Sequence, residues 1–128
     1  DPLKALQGIL RRFLKRLEAE EPDTGFLFNG SPVCNFASEM SPLDEGFRKR
    51  LDDIYSVWRN SIADALKRGQ ATALVRPDLD PAAEADFLVS IMEGSASVGK
   101  VGQELLFFRN CIKVARAHLA SLAIASSS

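Results

Sequence analysis

GSPVCNFASEMSPLDEGFRKRLDDIYSVW, residues Gly30–Trp58, is the stretch of sequence that decides the fold. It predicts a short helix over Ser31–Met40, a tight turn, and then a long helix that starts at once. Ser41 is the predicted N-cap of the long helix, with Pro42 at its first position and acidic residues in its first turn. These residue types satisfy the unpaired N–H groups of a helix start and suit the positive end of its dipole.

The long helix has one apolar side. Its apolar residues recur at spacings of three and four, which is one face of an α-helix, and they are Phe47, Leu51, Ile54, Tyr55, Trp58, Ile62 and Leu66. Gly69 is the predicted end of this helix. All the other elements are therefore expected to pack against this one side.

Composition places the chain among single globular domains. It has 128 residues, of which 46% are hydrophobic and 26% are charged, with a formal net charge of −1. This balance argues against nucleic-acid binding by this chain alone, which usually needs a strongly basic face. No apolar run is long enough to span a membrane, and no signal peptide is visible. Because the sequence begins at Asp1 rather than Met, we expect it to be part of a longer protein.

The two cysteines bear on the compartment. Cys34 and Cys111 have no CxxC spacing and no histidine cluster beside them. We interpret them as free thiols in a reducing compartment, which makes a cytoplasmic protein the expectation. A single disulfide between them stays possible.

Asp1–Glu20 is a predicted amphipathic helix, capped by Asp1 with Pro2 at its first position. Its apolar stripe consists of Leu3, Leu6, Leu10, Phe13, Leu14 and Leu17. The other side is basic, which could contact a membrane or phosphates, but the balanced overall charge favours a solvated face. The loop Glu20–Gly30 follows, and its apolar segment Phe26–Phe28 is expected to fold back over the core.

The last two predicted helices, Pro81–Lys100 and Gln103–Ile124, carry more apolar surface than one contact needs. In the first, which Asp80 is predicted to cap, three charged residues (Asp86, Glu93 and Lys100) lie on one narrow side, and the uncharged arc covers roughly 200°. In the second, one stripe runs through Leu105, Phe108, Ile112, Ala115, Leu119 and Leu122, and another through Phe107, Cys111, Val114 and His118.

This excess predicts a partner surface. Two such helices packing on a second copy about a two-fold axis give a four-helix bundle, and the sequence therefore predicts a homodimer. The predicted interface consists of Phe87, Ile91, Ser95, Phe107, Phe108, Cys111, Ile112, Ala115 and Leu119. In the alternative, the first helix and the segment Phe26–Phe28 cover these arcs within one chain.

Catalytic motifs are not evident. The single histidine, His118, lies within an apolar stripe, and a nucleophile–base pair with Cys34 has no oxyanion motif beside it. No phosphate loop, dinucleotide fingerprint or HExxH pattern is present. We predict that the chain is not an enzyme and that it has no cofactor and no metal site.

Aromatic side chains suggest a binding pocket instead. Several of them project to the apolar side of the long helix and could line an apolar cavity with a few polar groups that orient a ligand. The predicted pocket consists of Phe13, Phe28, Cys34, Asn35, Tyr55, Trp58 and Met92. The alternative is that these side chains are plain core, because periodicity alone does not separate the two.

Two segments, residues 30–70 and 75–101, resemble the C-terminal regulatory domain of TetR/AcrR-family transcription factors. The family pattern is approximately Gly-Cys-Pro-x-x-Asn-Leu-Ala-x-Glu-Met, then a helix with a Trp, then Arg-Pro-Asp-x-Asp-Pro and a helix containing Glu-Gly. The matching residues are Gly30, Pro32, Asn35, Ala37, Glu39, Met40, Trp58, Arg76, Pro77, Asp78, Asp80, Pro81, Glu93 and Gly94. Ser31, Cys34 and Phe36 depart from the pattern near the expected pocket, so the effector does not carry over from relatives.

The resemblance implies an all-α helical bundle with a long central helix and a dimeric four-helix bundle formed by the two C-terminal helices. It implies that residues 1–128 are the effector-binding and dimerisation domain of a transcriptional regulator, expected to be a repressor, whose N-terminal helix-turn-helix precedes Asp1. The partners implied are a second copy, a small apolar effector and, only through the missing domain, operator DNA; no membrane is implied. The alternative from another class is a helical protein–protein adaptor without a pocket.

Overall fold

The computed structural model describes residues 1–19, Asn35, Ala37, Glu39 and residues 41–125, and this part of the chain contains four α-helices. They are α1 (Pro2–Ala19), α2 (Glu45–Ala71), α3 (Pro81–Gly102) and α4 (Leu105–Ser121). The predicted all-α class and the long central helix are confirmed.

Two predicted features fall on residues that are not described. The predicted helix Ser31–Met40 lies outside the described residues except at three positions, which are helical. The loop segment Phe26–Phe28 also lies outside them. No described helix combines the length and the apolar character needed to cross a membrane.

Local capping signals set two of the helix starts as predicted. Asp1 Oδ1 accepts a hydrogen bond from the backbone N–H of Leu3 at 2.9 Å. Asp80 Oδ1 accepts from Ala82 N at 2.9 Å, with Pro81 at the first position of α3. In both cases a short carboxylate side chain satisfies a donor that the helix itself leaves unpaired.

The predicted start of α2 is wrong. Residues 41–43 form a turn, and α2 is capped by Asp44, whose Oδ1 accepts from Phe47 N at 3.0 Å. Ser41 and Asp44 are both good cap residues, so the local sequence offers two starts. Asp44 has the extended backbone of a cap residue, with φ −143° and ψ 114°, and the helix begins directly after it.

Gly69 does not end α2, which continues to Ala71. It lies instead where three segments meet, because a Cβ at this position would be 2.4 Å from Val75 Cγ2 and 2.8 Å from Pro2 Cγ. The glycine is therefore required for close packing.

The predicted end of α4 at Ile124 is also wrong, because the chain leaves the helix after Ser121 to pair with the connection between α2 and α3. Arg76 N donates to Leu122 O at 2.9 Å, and Ile124 N donates to Leu74 O at 3.2 Å. These bonds flank an isolated antiparallel bridge between Val75 and Ala123. The main chain thus ties the end of α4 to the end of α2.

The same connection carries a local ion pair. The Arg76 guanidinium donates two hydrogen bonds to the Asp78 carboxylate, Nε to Oδ1 at 2.9 Å and Nη2 to Oδ2 at 2.7 Å. These bonds lower the pKa of Asp78. Both side chains are well exposed, so the pair orders the loop more than it stabilises the fold.

The core lies between α1 and the other helices. α1 packs on both α2 and α4, and α3 packs on the same two helices from the other side. The buried residues of the main cluster are Leu3, Leu6, Leu10, Leu66, Val75, Leu88, Ile112, Ala115, Leu119 and Leu122. Leu17 and Phe108 form a second cluster at the far end of α1. Burial of these apolar side chains is the main source of stability.

Candidate functional site

A cavity of about 410 Å³ lies among α1, α2 and α3, with Leu119 of α4 also in its wall. This volume is within the range of small-molecule sites. Its apolar lining consists of Leu6, Ile9, Leu10, Phe13 and Leu17 from α1, Trp58 and Ile62 from α2, Leu88, Val89 and Met92 from α3, and Leu119. An apolar ligand of moderate size fits the character of this lining.

Three polar residues complete the lining, and each comes from a different helix. They are Arg16 of α1, Ser61 of α2 and Glu93 of α3. Glu93 Oε2 accepts a hydrogen bond from Tyr55 Oη at 3.3 Å. The Tyr55 ring lies edge-on to Trp58, with the ring centroids 5.6 Å apart and an interplanar angle of 84°. The cavity therefore offers a few orienting polar groups in an otherwise apolar wall.

The structure brings together part of the predicted pocket. Phe13, Trp58 and Met92 line the cavity. Tyr55 does not line it but contacts two residues that do. Asn35 lies outside the lining, where its Oδ1 accepts from Lys100 Nζ at 3.0 Å. The remaining two predicted pocket residues, Phe28 and Cys34, lie outside the described residues.

Sequence reasoning did not single out the other lining residues. Leu6, Leu10 and Leu17 belong to the predicted apolar stripe of α1, and nothing in their spacing separates a cavity wall from a filled core. In the sequence, Glu93 stands out only as one of the charged residues of the helix Pro81–Lys100 and as part of the family pattern, and neither feature indicates a cavity. A cavity forms where side chains on facing helices do not contact one another, and the spacing of residues within one helix does not show this.

The charged side of α3 faces other parts of the chain. Asp86 Oδ1 lies 3.3 Å from Arg59 Nε of α2, Glu93 bonds to Tyr55, and Lys100 bonds to Asn35. The contacts of Asp86 and Glu93 hold α3 against α2, and Lys100 contacts a residue that precedes α2. The uncharged arc of α3, on the side away from Asp86, Glu93 and Lys100, includes the part of the helix that faces outward.

α3 and α4 form an antiparallel pair with an outward apolar face. The Phe87 and His118 rings are 5.1 Å apart at one end, and a Cβ at Gly99 would lie 2.2 Å from Phe108 Cζ near the other end. We define the outward face by two stripes, Phe87, Ile91, Gly94 and Val98 on α3, and Phe107, Cys111, Val114 and His118 on α4. Val114 is 69% exposed, Val98 58% and Phe87 46%.

Five residues of the predicted dimer interface are covered within the single chain. Phe108 is fully buried beside Leu17, and Ile112, Ala115 and Leu119 pack into the main core against α1. Ser95 is also buried, and its Oγ donates to Met92 O at 2.9 Å. α1 covers the stripe of α4 that contains four of them, and Ser95 of α3 is buried as well, so the single chain already covers these five residues. Phe87, Ile91, Phe107 and Cys111 remain on the outward face.

Two titratable residues, His118 and Cys111, belong to the outward face. His118 Nε2 lies 2.6 Å from Glu84 Oε2, which holds the imidazole at the end of the α3–α4 pair. Cys111 is a free thiol and is half-buried. Among the described residues, no group of three or more His, Cys, Asp or Glu side chains could hold a metal ion.

Comparison with known families matches residues 2–111 to "Tetracyclin repressor-like, C-terminal domain". The HTH-type transcriptional repressor DhaR of Mycobacterium sp. (strain GP1) is 29% identical over 94 residues, which are 73% of this chain and 43% of that protein. An uncharacterised HTH-type transcriptional regulator in the lacX 3′ region of Lactococcus lactis subsp. lactis is 38% identical over 79 residues, 62% of this chain and 38% of that protein. The chain thus spans less than half the length of these curated relatives.

Solved structures give the same fold. A TetR transcriptional regulator from Chloroflexus aurantiacus superposes with a TM-score of 0.82 at 19% identity, covering 98% of this chain and 61% of that one. The regulatory protein TetR from Rhodobacter sphaeroides gives 0.75 at 22% identity, covering 91% and 59%. At these identities the likeness concerns the fold alone. The family match favours a regulatory domain over both an enzyme and a helical adaptor.

Proposed function

This chain belongs to the tetracyclin repressor-like C-terminal domain family, and from that premise we propose that it is the effector-binding and dimerisation domain of a transcriptional regulator that acts as a repressor. The observation that carries the proposal is the apolar cavity of about 410 Å³ among α1, α2 and α3. In the longer protein, a helix-turn-helix domain outside this sequence would bind operator DNA, and the protein would act in the cytoplasm.

The proposed effector is a small, mainly apolar molecule. The cavity wall supports this, since 11 of its 14 lining residues are apolar: Leu6, Ile9, Leu10, Phe13, Leu17, Trp58, Ile62, Leu88, Val89, Met92 and Leu119. Glu93 and Ser61 supply the polar atoms that would set the orientation of the ligand. Phe28 and Cys34 remain proposed contributors from the sequence.

The proposed dimer uses the outward face of α3 and α4. Exposed apolar residues on adjacent antiparallel helices support this assignment, because such a face is unfavourable in water and pairs well with its own copy about a two-fold axis. Phe87, Ile91, Phe107 and Cys111 are the predicted interface residues that this proposal keeps. Val98 and Val114 are added to them.

α3 would couple the two sites. Met92 and Glu93 line the cavity, while Ile91 and Gly94 belong to the outward face, so neighbouring residues of one helix serve both. An effector that binds two arrangements of α3 with different affinity would shift the dimer between them. The spacing of the two DNA-binding domains would then change, which controls operator binding.

The effector proposal is tested by thermal unfolding in the presence of a library of small apolar molecules. Binding raises the unfolding midpoint, and Trp58, the single tryptophan of the chain, reports occupancy through its fluorescence. Ser61→Phe places a ring in the cavity from an exposed position and should abolish both responses. Asn60→Phe, on the neighbouring exposed position outside the lining, is the control and should keep them. The proposal would be contradicted if no library member raised the unfolding midpoint of the unaltered chain, or if the same molecules raised that of Ser61→Phe equally.

A further inference from the structure

A second, separate groove lies between α1 and α4. It has a volume of about 350 Å³. Its polar and long side chains are Gln7 and Leu14 from α1 and Arg109, Lys113 and Arg116 from α4, and the rest of its lining consists of Ile112, Ala117 and Ala120. It shares no lining residue with the apolar cavity. The proposed effector site and the proposed dimer face both leave this groove unused.

The groove concentrates positive charge. Arg109, Lys113 and Arg116 are four and three residues apart, which places them on one face of α4 over about 10.5 Å of helix. Arg11 does not line the groove, but it lies between Gln7 and Leu14 on the same side of α1, which places a further cation beside the groove. The whole chain has a net charge of −1, so this positive cluster is a local feature.

Among the residues that the structure describes, one carboxylate pairs with these cations. Glu18 Oε1 lies 3.2 Å from Arg109 Nε at one end of the groove, and both side chains are partly exposed. Among the described residues, Arg11, Lys113 and Arg116 have no ion pair within 4.0 Å. Like charges held close together repel one another, and an anion between them removes that cost.

Arg116 supplies an independent observation. Its Nε atom is buried and has no hydrogen-bond partner in the described part of the chain. Buried donors are nearly always hydrogen-bonded in folded proteins, and a buried donor without a partner is unfavourable. Because this atom is closed to solvent, an acceptor in the groove would satisfy it only by drawing the Arg116 guanidinium toward the groove.

We propose that the groove between α1 and α4 binds a small soluble anion that carries one or two phosphate groups. A phosphate group has close to two negative charges at neutral pH and three strong acceptor oxygens, which matches several donors converging from one helix face. Arginine binds phosphate oxygens with paired N–H groups, and Lys113 adds a point charge. A carboxylate would neutralise only one of the cations.

The test uses pyrophosphate as the probe. Binding to the whole chain is measured by isothermal titration calorimetry at constant ionic strength, with thermal unfolding as a second readout. We expect pyrophosphate to raise the unfolding midpoint more than sodium chloride of equal ionic strength. Lys113→Gln/Arg116→Gln should weaken pyrophosphate binding at least about tenfold. Arg50→Gln/Arg68→Gln, which removes the same charge from exposed positions of α2, should bind as the unaltered chain does.

Three results would overturn the proposal. Pyrophosphate could stabilise the chain no more than chloride does, or the two double variants could lose affinity equally, which would make the effect one of overall charge. In the third case, the chain could bind vesicles of anionic phospholipid but not pyrophosphate, with binding lost in Lys113→Gln/Arg116→Gln. The groove would then contact a membrane surface.

Discussion

At the scale of single residues, Gly99 shows how closely α3 and α4 approach each other. A Cβ at this position would lie 2.2 Å from Cζ and 2.5 Å from Cε2 of the Phe108 ring. The ring is fully buried beside Leu17 and cannot move aside without disturbing the core. The glycine therefore fixes the distance between the two helices that carry the outward face.

Gly99→Ala should accordingly destabilise the chain by about 1–3 kcal/mol, which is typical of overpacking a closed core. The measurement is the free energy of unfolding by urea. Gly8→Ala is the matched control, because the nearest atom to its Cβ is the mobile Nη1 end of Arg12 at 3.3 Å. That control should be neutral or stabilising by up to about 1 kcal/mol, since alanine is the better helix former. Equal losses for both variants would contradict this account of Gly99.

Residue patterns predicted part of the cavity. Phe13, Trp58 and Met92 could be named because they are large, apolar and on the inner side of three helices. Leu10 belongs to the same predicted apolar stripe as Phe13 and also lines the cavity, but it is not among the predicted pocket residues. The difference between lining a cavity and filling a core depends on the side chain opposite, which one sequence does not reveal.

At the scale of elements, the starts of α1 and α3 follow from local capping chemistry, whereas the end of α4 does not. Asp1 and Asp80 cap the helices that the sequence assigned to them. α4 ends early because Leu122 and Ile124 bond to a segment nearly fifty residues earlier in the chain. No pattern within the last helix contains that information.

The cap of α2 gives a direct test at this scale. Asp44→Ala removes the acceptor of the Phe47 N–H and should cost about 1 kcal/mol of unfolding free energy. Ser41→Ala, at the cap position that the sequence favoured, should change stability by less than about 0.5 kcal/mol. Both are measured by chemical denaturation. A larger loss for Ser41→Ala would mean that the helix starts at Pro42 in solution.

At the scale of the whole molecule, the packing of the four helices decides which part of the apolar surface on α3 and α4 is buried and which part faces outward. α1 covers one stripe of α4, as the alternative of internal coverage predicted, and leaves the second stripe outward beside that of α3. The sequence gives the width of each arc. Which part of it another helix covers is decided by the packing of α1, which no single helix specifies.

The outward face predicts the effect of a charge on assembly. Val114→Asp places a carboxylate at the centre of the proposed dimer contact and should convert a dimer of twice 14.0 kDa into a monomer that keeps its helical content. Val57→Asp, a matched change at a 63% exposed valine of α2, should leave the dimer intact. Light scattering across a concentration series measures both masses. A dimer that persists in Val114→Asp would move the interface elsewhere.

The pairing of Val75 with Ala123 has a consequence for how such domains diverge. Its bonds join main-chain atoms of residues 74, 76, 122 and 124, so the bonds themselves do not depend on the side chains at these positions, although Leu122 is also a core residue. The connection between the end of α2 and the end of α4 can therefore be kept in related domains whose side chains differ at these positions. Alanine substitutions at these residues would leave both main-chain bonds in place, whereas replacing the amide of Arg76 or Ile124 by an ester would remove one of them.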